Sequence, residues 1–111
     1  MSLVSKAEKL LNALNTVSGL KCYHLFKPAN VKAPYAVWQE DSEGQSFYAS
    51  NRKAEQVLEL TLDYFTQTEC DPMADNIQDA LNGIEVAWKL NSLQYEVETK
   101  LIHYEWLIQV I

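Results

Sequence analysis

Residues capable of nucleophilic or metal chemistry are few in this chain. Two cysteines, Cys22 and Cys70, and two histidines, His24 and His103, are the whole supply of thiols and imidazoles in 111 residues. The most suggestive group is Glu69-Cys70-Asp71, a thiol between two carboxylates where the alternating run LELTLDYFT gives way to a helical pattern. A cysteine nucleophile needs a base, ordinarily histidine, and a third group to orient that base. Neither histidine is tied to Cys70 by spacing. The same residues have a simpler use. Asp71 is a good N-cap, Pro72 suits the first helical position, and Cys70 is a small half-buried residue at a strand-to-helix joint. We read the turn as a joint.

The metal readings are equally thin. Cys22 and His24 fall on one face of a short strand. A structural zinc site needs a full tetrahedral set, so His103 and Cys70 would have to arrive from distant segments. Asp71, Asp75 and Asp79 recur one helical turn apart. They could hold a cation, but like charges at that spacing repel, and a solvated face accounts for them. Glu96 and Glu98 share a strand face and read the same way. No phosphate-cradling or hydrolase motif is present, and three glycines leave little room for one. No catalytic, cofactor-binding or metal-binding residue is therefore assigned.

The elements that would position such residues are legible from periodicity. Leu3, Ala7, Leu10, Leu11 and Leu14 make one apolar helical stripe, with Lys6, Glu8, Lys9 and Asn12 on the other face. Ser2 can cap this helix, and Gly19 closes the connection after it. Short strands are predicted over 20–26 and 34–40, the second starting at Pro34, where a missing N–H matters least. The segment 41–53 is polar and reads as a long hairpin loop carrying Phe47 and Tyr48. From 55 to 66, Leu58, Leu60, Leu62 and Tyr64 alternate with Glu59, Thr61, Asp63 and Phe65, which marks a sheet with one buried and one polar face. A second helix spans 72–83, with Met73, Ile77, Ala80 and Leu81 as its apolar stripe and Gly83 at the C′ position. A strand over 84–90 follows. The segment 94–111 reads as one long strand, or two joined by a bulge, with Tyr104, Trp106, Ile108 and Val110 on one face. Trp88 and Trp106 are expected in the core, and the apolar end at Ile111 predicts a terminus paired in the sheet. The result is one α+β domain over residues 1–111, an antiparallel sheet with two helices packed on one face.

Composition narrows the function classes. The net charge is −6, from nine basic and fifteen acidic residues. No basic stripe exists to displace counterions from a nucleic acid, so direct sequence-specific binding of DNA or RNA is not expected. No apolar run approaches a bilayer span, and polar residues break the N-terminal segment where a secretory signal would be apolar. Two distant cysteines fit free thiols in a reducing compartment better than a disulfide, although a single Cys22–Cys70 bridge stays open.

The order of segments resembles a known family. An N-terminal helix, then APYAVWQ, a polar hairpin loop, LELTLDYFTQT, DPMADNIQDAL and the closing YEVETKLIHYEWLIQVI resemble small tail proteins of tailed bacteriophages and prophages. The resemblance is to the tail-terminator or tail-completion type, similar to minor tail protein U of lambda-like phages. It covers about Leu3 to Val110 and rests on order and texture, especially Pro34-Tyr35, the run 63–66 and the strand after Leu101. It implies an α+β subunit with no catalytic residues and no cofactor, forming a ring, typically a hexamer, at the head-proximal end of the tail. Its partners would be itself, the tail-tube protein and head-connector proteins, without a membrane. It would be found in the bacterial host cytoplasm during assembly and then in the virion tail. Phe47, Tyr48 and Arg52 in the polar loop are the interface candidates, since aromatics and arginine are enriched at interface cores. The alternatives are another head–tail joining or tail-tube protein, or a small cytoplasmic domain that binds a ligand in a pocket or a peptide along a sheet edge.

Overall fold

In the computed structural model the chain runs α1 (Leu3–Asn15), β1 (Cys22–His24), β2 (Tyr35–Glu43), β3 (Tyr48–Ala49), β4 (Arg52–Lys53), β5 (Leu58–Thr66), α2 (Pro72–Asn82), β6 (Ala87–Glu96) and β7 (Leu101–Val110). The structure describes residues 2–44, 48–49, 52–53 and 56–111, with backbone alone for β3 and β4.

Five strands form the main sheet in the order β1-β2-β5-β7-β6. The inner pairings are antiparallel, as alternation predicts. β1 differs: it runs parallel to β2, pairing Cys22 with Ala36 and His24 with Trp38. A parallel pair ordinarily needs a long crossover. Here β1 has only three residues, so the connection 25–34 can run back beside it without a helix.

The alternation in β5 decides where the core lies. Leu58, Leu60, Leu62, Tyr64 and Thr66 are buried, while Glu59, Thr61, Asp63 and Phe65 are half-buried on the opposite face. Both helices cover the first face. Leu10 and Leu14 of α1 and Ile77 and Leu81 of α2 meet Trp38, Trp106, Ile108 and Val110 there. Trp88 packs at the edge of this cluster and donates its indole N–H to Asn82. In α2 the buried stripe is Ala74, Ile77 and Leu81, with Met73 and Ala80 beside it.

Several expected details are corrected. Lys6, placed on the polar face of α1 by periodicity, is 4 % exposed. Its ammonium donates to the Gln56 carbonyl just before β5, so the stem lies inside while the charge finds a partner. Gly83 caps α2 in an ordinary right-handed conformation at φ −80, so its freedom from a Cβ is not what ends the helix. The polar segment 41–53 is not a single loop: Asp41–Glu43 extend β2, and β3 and β4 form a small hairpin within it. The long C-terminal segment is a hairpin of β6 and β7 joined by a turn over 97–100, with Lys100 at φ 61. The bulge lies earlier, in β6, where the register shifts between Leu90 and Ser92.

Candidate assembly interface

The turn at Glu69-Cys70-Asp71 is a structural joint. Cys70 adopts φ 52 and is exposed rather than half-buried, because the chain must reverse sharply before α2. Asp71 gathers three donors. Its Oδ1 accepts the Met73 N–H at 2.9 Å, and its Oδ2 accepts the hydroxyls of Tyr64 and Thr66, each at 2.7 Å. Partial burial opposes the carboxylate charge, but the hydroxyls of Thr66 and Tyr64 and the Met73 N–H together hold it below its ordinary pKa. Burial, then the neighbouring Asp71, pushes the Tyr64 phenol well above its usual range. Asp71 thus serves as a helix cap whose three bonds go to Met73, Tyr64 and Thr66.

The residues of the zinc reading are not brought together. His24 stacks on Trp38 at 3.9 Å between ring centroids, on the helix-bearing side. His103 stacks on Phe65 at 4.3 Å, on the opposite face and three strands further along the sheet. Both cysteines are free. Burial pushes the Cys22 thiol up to about 11, the reverse of an activated thiolate.

On the open face of the sheet the structure assembles a polar network that the sequence did not signal. His103 contacts Asp63 through Nε2 at 2.7 Å and Glu96 through Nδ1 at 3.2 Å, so Glu96 is a structural partner rather than a solvated charge. Glu105 accepts the amide of Asn91 at 2.8 Å. Desolvation, only partly offset by His103, raises the Asp63 pKa. One ligand atom each from Asp63, His103 and Glu105 lies within 4.8 Å of the others, and all three side chains make cross-strand bonds. The signal was available only as register: Asp63 pairs with Glu105 and Phe65 with His103.

Of the loop residues expected at an interface, Phe47 lies outside the described residues. Tyr48 and Arg52 sit on β3 and β4, whose backbones pair Tyr48 with Lys53 and Ala49 with Arg52.

Apolar surface is left open at two other places. Along β6, Leu90 is 41 %, Leu93 53 %, Tyr95 59 % and the following Val97 77 % exposed. Leu90, Leu93 and Tyr95 pair with Trp106, Tyr104 and Ile102, so they share the helix-bearing face. The bulge makes this possible. Uninterrupted alternation from Trp88 would place Ser92, Gln94 and Glu96 there; the extra residue shifts the phase and puts the apolar series on that face instead. α2 reaches this edge strand at Trp88 and alongside Leu90, and among the described residues nothing covers Leu93 and Tyr95.

The second place is a half-open groove of about 390 Å³ at the other edge of the sheet, between α1 and the β1–β2 pair. Leu3, Val4, Leu11, Trp38 and Leu58 line it, with Glu8, His24 and Glu40 at its sides. Leu3 and Val4 are 48 % and 67 % exposed, and the chain leaves His24 directly into exposed Leu25 and Phe26. Among the described residues, no helix is long and apolar enough to cross a membrane.

No protein-family model and no curated protein matches this chain. Its fold is nevertheless found among solved structures: it is similar to a chain in the virion of a native gene transfer agent particle, at a TM-score of 0.65 and 10% sequence identity, over 98% of this chain and 92% of that one.

Proposed function

We propose that this chain is a structural subunit of a phage, prophage or phage-like virion, a tail-terminator or tail-completion protein that forms a ring at the head-proximal end of the tail. The observation that carries the reading is the end-to-end likeness of fold to a virion chain. The molecule's surface agrees with assembly. The turn with the thiol is a helix cap, while apolar side chains lie open at both edges of the sheet. Subunits that meet through two different patches form rings where the rotation between neighbours closes. A net charge of −6 suits a lumen through which DNA must pass without adhering. The partners in this reading are further copies of the chain, the tail-tube protein and head-connector proteins. Another head–tail joining or tube position is the second reading, favoured by the same likeness.

Light scattering on a sizing column over a wide concentration range, with negative-stain images of any large species, tests the proposal. A closed ring of about six subunits supports it. A strict monomer at every concentration leaves only a ring that assembles on the tail tube, and moves the weight to a ligand- or peptide-binding domain.

A further inference from the structure

We infer that the apolar series on β6 of one copy docks into the α1–β2 groove of the next copy, head to tail. This rests on the ring reading above and names the two faces that would make the ring.

The described large hydrophobic side chains that are exposed fall almost entirely into two sets. One is Leu90, Leu93, Tyr95 and Val97 on and just after β6; the other is Leu3 and Val4 on α1 with Leu25 and Phe26 after β1. The sets lie at opposite edges of a sheet ordered β1-β2-β5-β7-β6, roughly 19 Å apart across four strand spacings. They also lie toward opposite ends of the strands. Tyr95 pairs beside Ile102, level with Thr66 at one end of β5, whereas the groove is floored by Leu58, level with Val110 at the other. One copy therefore cannot satisfy its own groove with its own β6.

Shape, area and charge point to a second copy as the occupant. One surface is a raised edge strand and the other a groove of about 390 Å³, so they are unlike and complementary. With about 150–220 Å² for a fully open side chain, the exposed fractions of Leu90, Leu93, Tyr95 and Val97 amount to roughly 400 Å² of apolar surface on the β6 side. That is about half of the ~800 Å² per partner buried in a stable interface, with the remainder expected from a polar rim. Exposed Lys100 stands just past Val97, with Glu98 between them, and exposed Glu8 and Glu40 flank the groove. This offers one cation to the groove's carboxylates at the end of the contact. A contact between unlike faces repeats from copy to copy, which is what a ring requires.

The test uses two full-length variants, Tyr95→Asp on the β6 face and Val4→Asp at the groove. Both side chains are open to solvent, so far-UV circular dichroism and melting temperature should match the unaltered chain. Each variant alone is expected to be a monomer, with self-association weakened roughly 30-fold or more. Mixed in equal amounts they are expected to form a dimer and nothing larger. The Tyr95→Asp copy keeps an intact groove and the Val4→Asp copy keeps an intact β6 face, so one junction per pair survives. Rings that persist in both variants overturn the inference and leave the ring reading standing. Loss of association in Tyr95→Asp alone, without recovery on mixing, shows β6 pairing with itself and also overturns it. A mixed dimer from a parent that forms open chains supports the docking and overturns the ring.

Discussion

The cap at Asp71 offers the sharpest energetic test of this fold. In Asp71→Ala the Met73 N–H loses its side-chain acceptor, which costs about 1 kcal/mol for a lost N-cap. The larger effect is behind the cap. The Tyr64 side chain is fully buried, and its hydroxyl donates to Asp71. Orphaning a buried donor costs roughly 1–3 kcal/mol. Thr66, also fully buried, keeps the bond it accepts from the Thr68 N–H but loses its acceptor. The sum is about 3 kcal/mol, a large share of the ~5–15 kcal/mol that stabilises a domain. Urea denaturation should show the midpoint falling at unchanged slope, and the melting temperature should drop by about 12 °C. In a Tyr64→Phe background the orphaned hydroxyl is gone, so Asp71→Ala should cost about 1–2 kcal/mol less than in the parent chain. Acidity gives a second check. The folded Asp71 pKa lies below its ordinary 3.8, so its stabilisation is complete above about pH 4 and is lost as pH falls through the folded value. Asp71→Asn should therefore lose less stability than the parent on acidification below about pH 4. A cost under about 1 kcal/mol for Asp71→Ala, or strict additivity with Tyr64→Phe, would refute the account of a cap that also satisfies two buried hydroxyls.

Other outcomes follow from single features. A thiol reagent at pH 8 should modify exposed Cys70 in the folded protein and spare Cys22, whose thiol is pushed up to about 11 by burial; mass spectrometry after proteolysis reads which site is labelled. Deleting Asn91 removes the extra residue of the β6 bulge and leaves Leu90, Ser92 and Leu93 in plain alternation. The cost should stay near 1 kcal/mol in urea denaturation, from the lost bond to Glu105, whereas inserting a residue after Leu93 should turn Tyr95 to the other face and cost more. His103→Ala should cost roughly 1–3 kcal/mol in thermal melts, because it removes the partners of Asp63 and Glu96 together with the stack on Phe65.

The sequence by itself determined the elements and their buried faces. Period-two spacing in 58–66 and helical spacing in 3–14 and 72–82 name most of the core, because a strand or helix that buries one side must repeat its apolar residues at its own period. Asp71 and Pro72 were equally legible, since capping is a local matter of the next few backbone N–H groups. The bulge left a mark that a closer reading of 88–97 could have found: apolar residues at 88 and 90, then at 93, 95 and 97, with Asn91 and Ser92 between.

Tertiary structure decided what depends on register and on which element lies over which. Lys6 is buried because α1 crosses the start of β5, where the Gln56 carbonyl waits for its ammonium. His103 meets Asp63 and Glu96 because three strands align them, although they are distant in sequence. The open apolar edge along β6 exists because the helices cover the sheet only as far as Trp88 on that strand and leave Leu93 and Tyr95 exposed. Local pattern says which side of a strand is apolar; only packing decides whether that side is covered by the chain itself or left for another molecule.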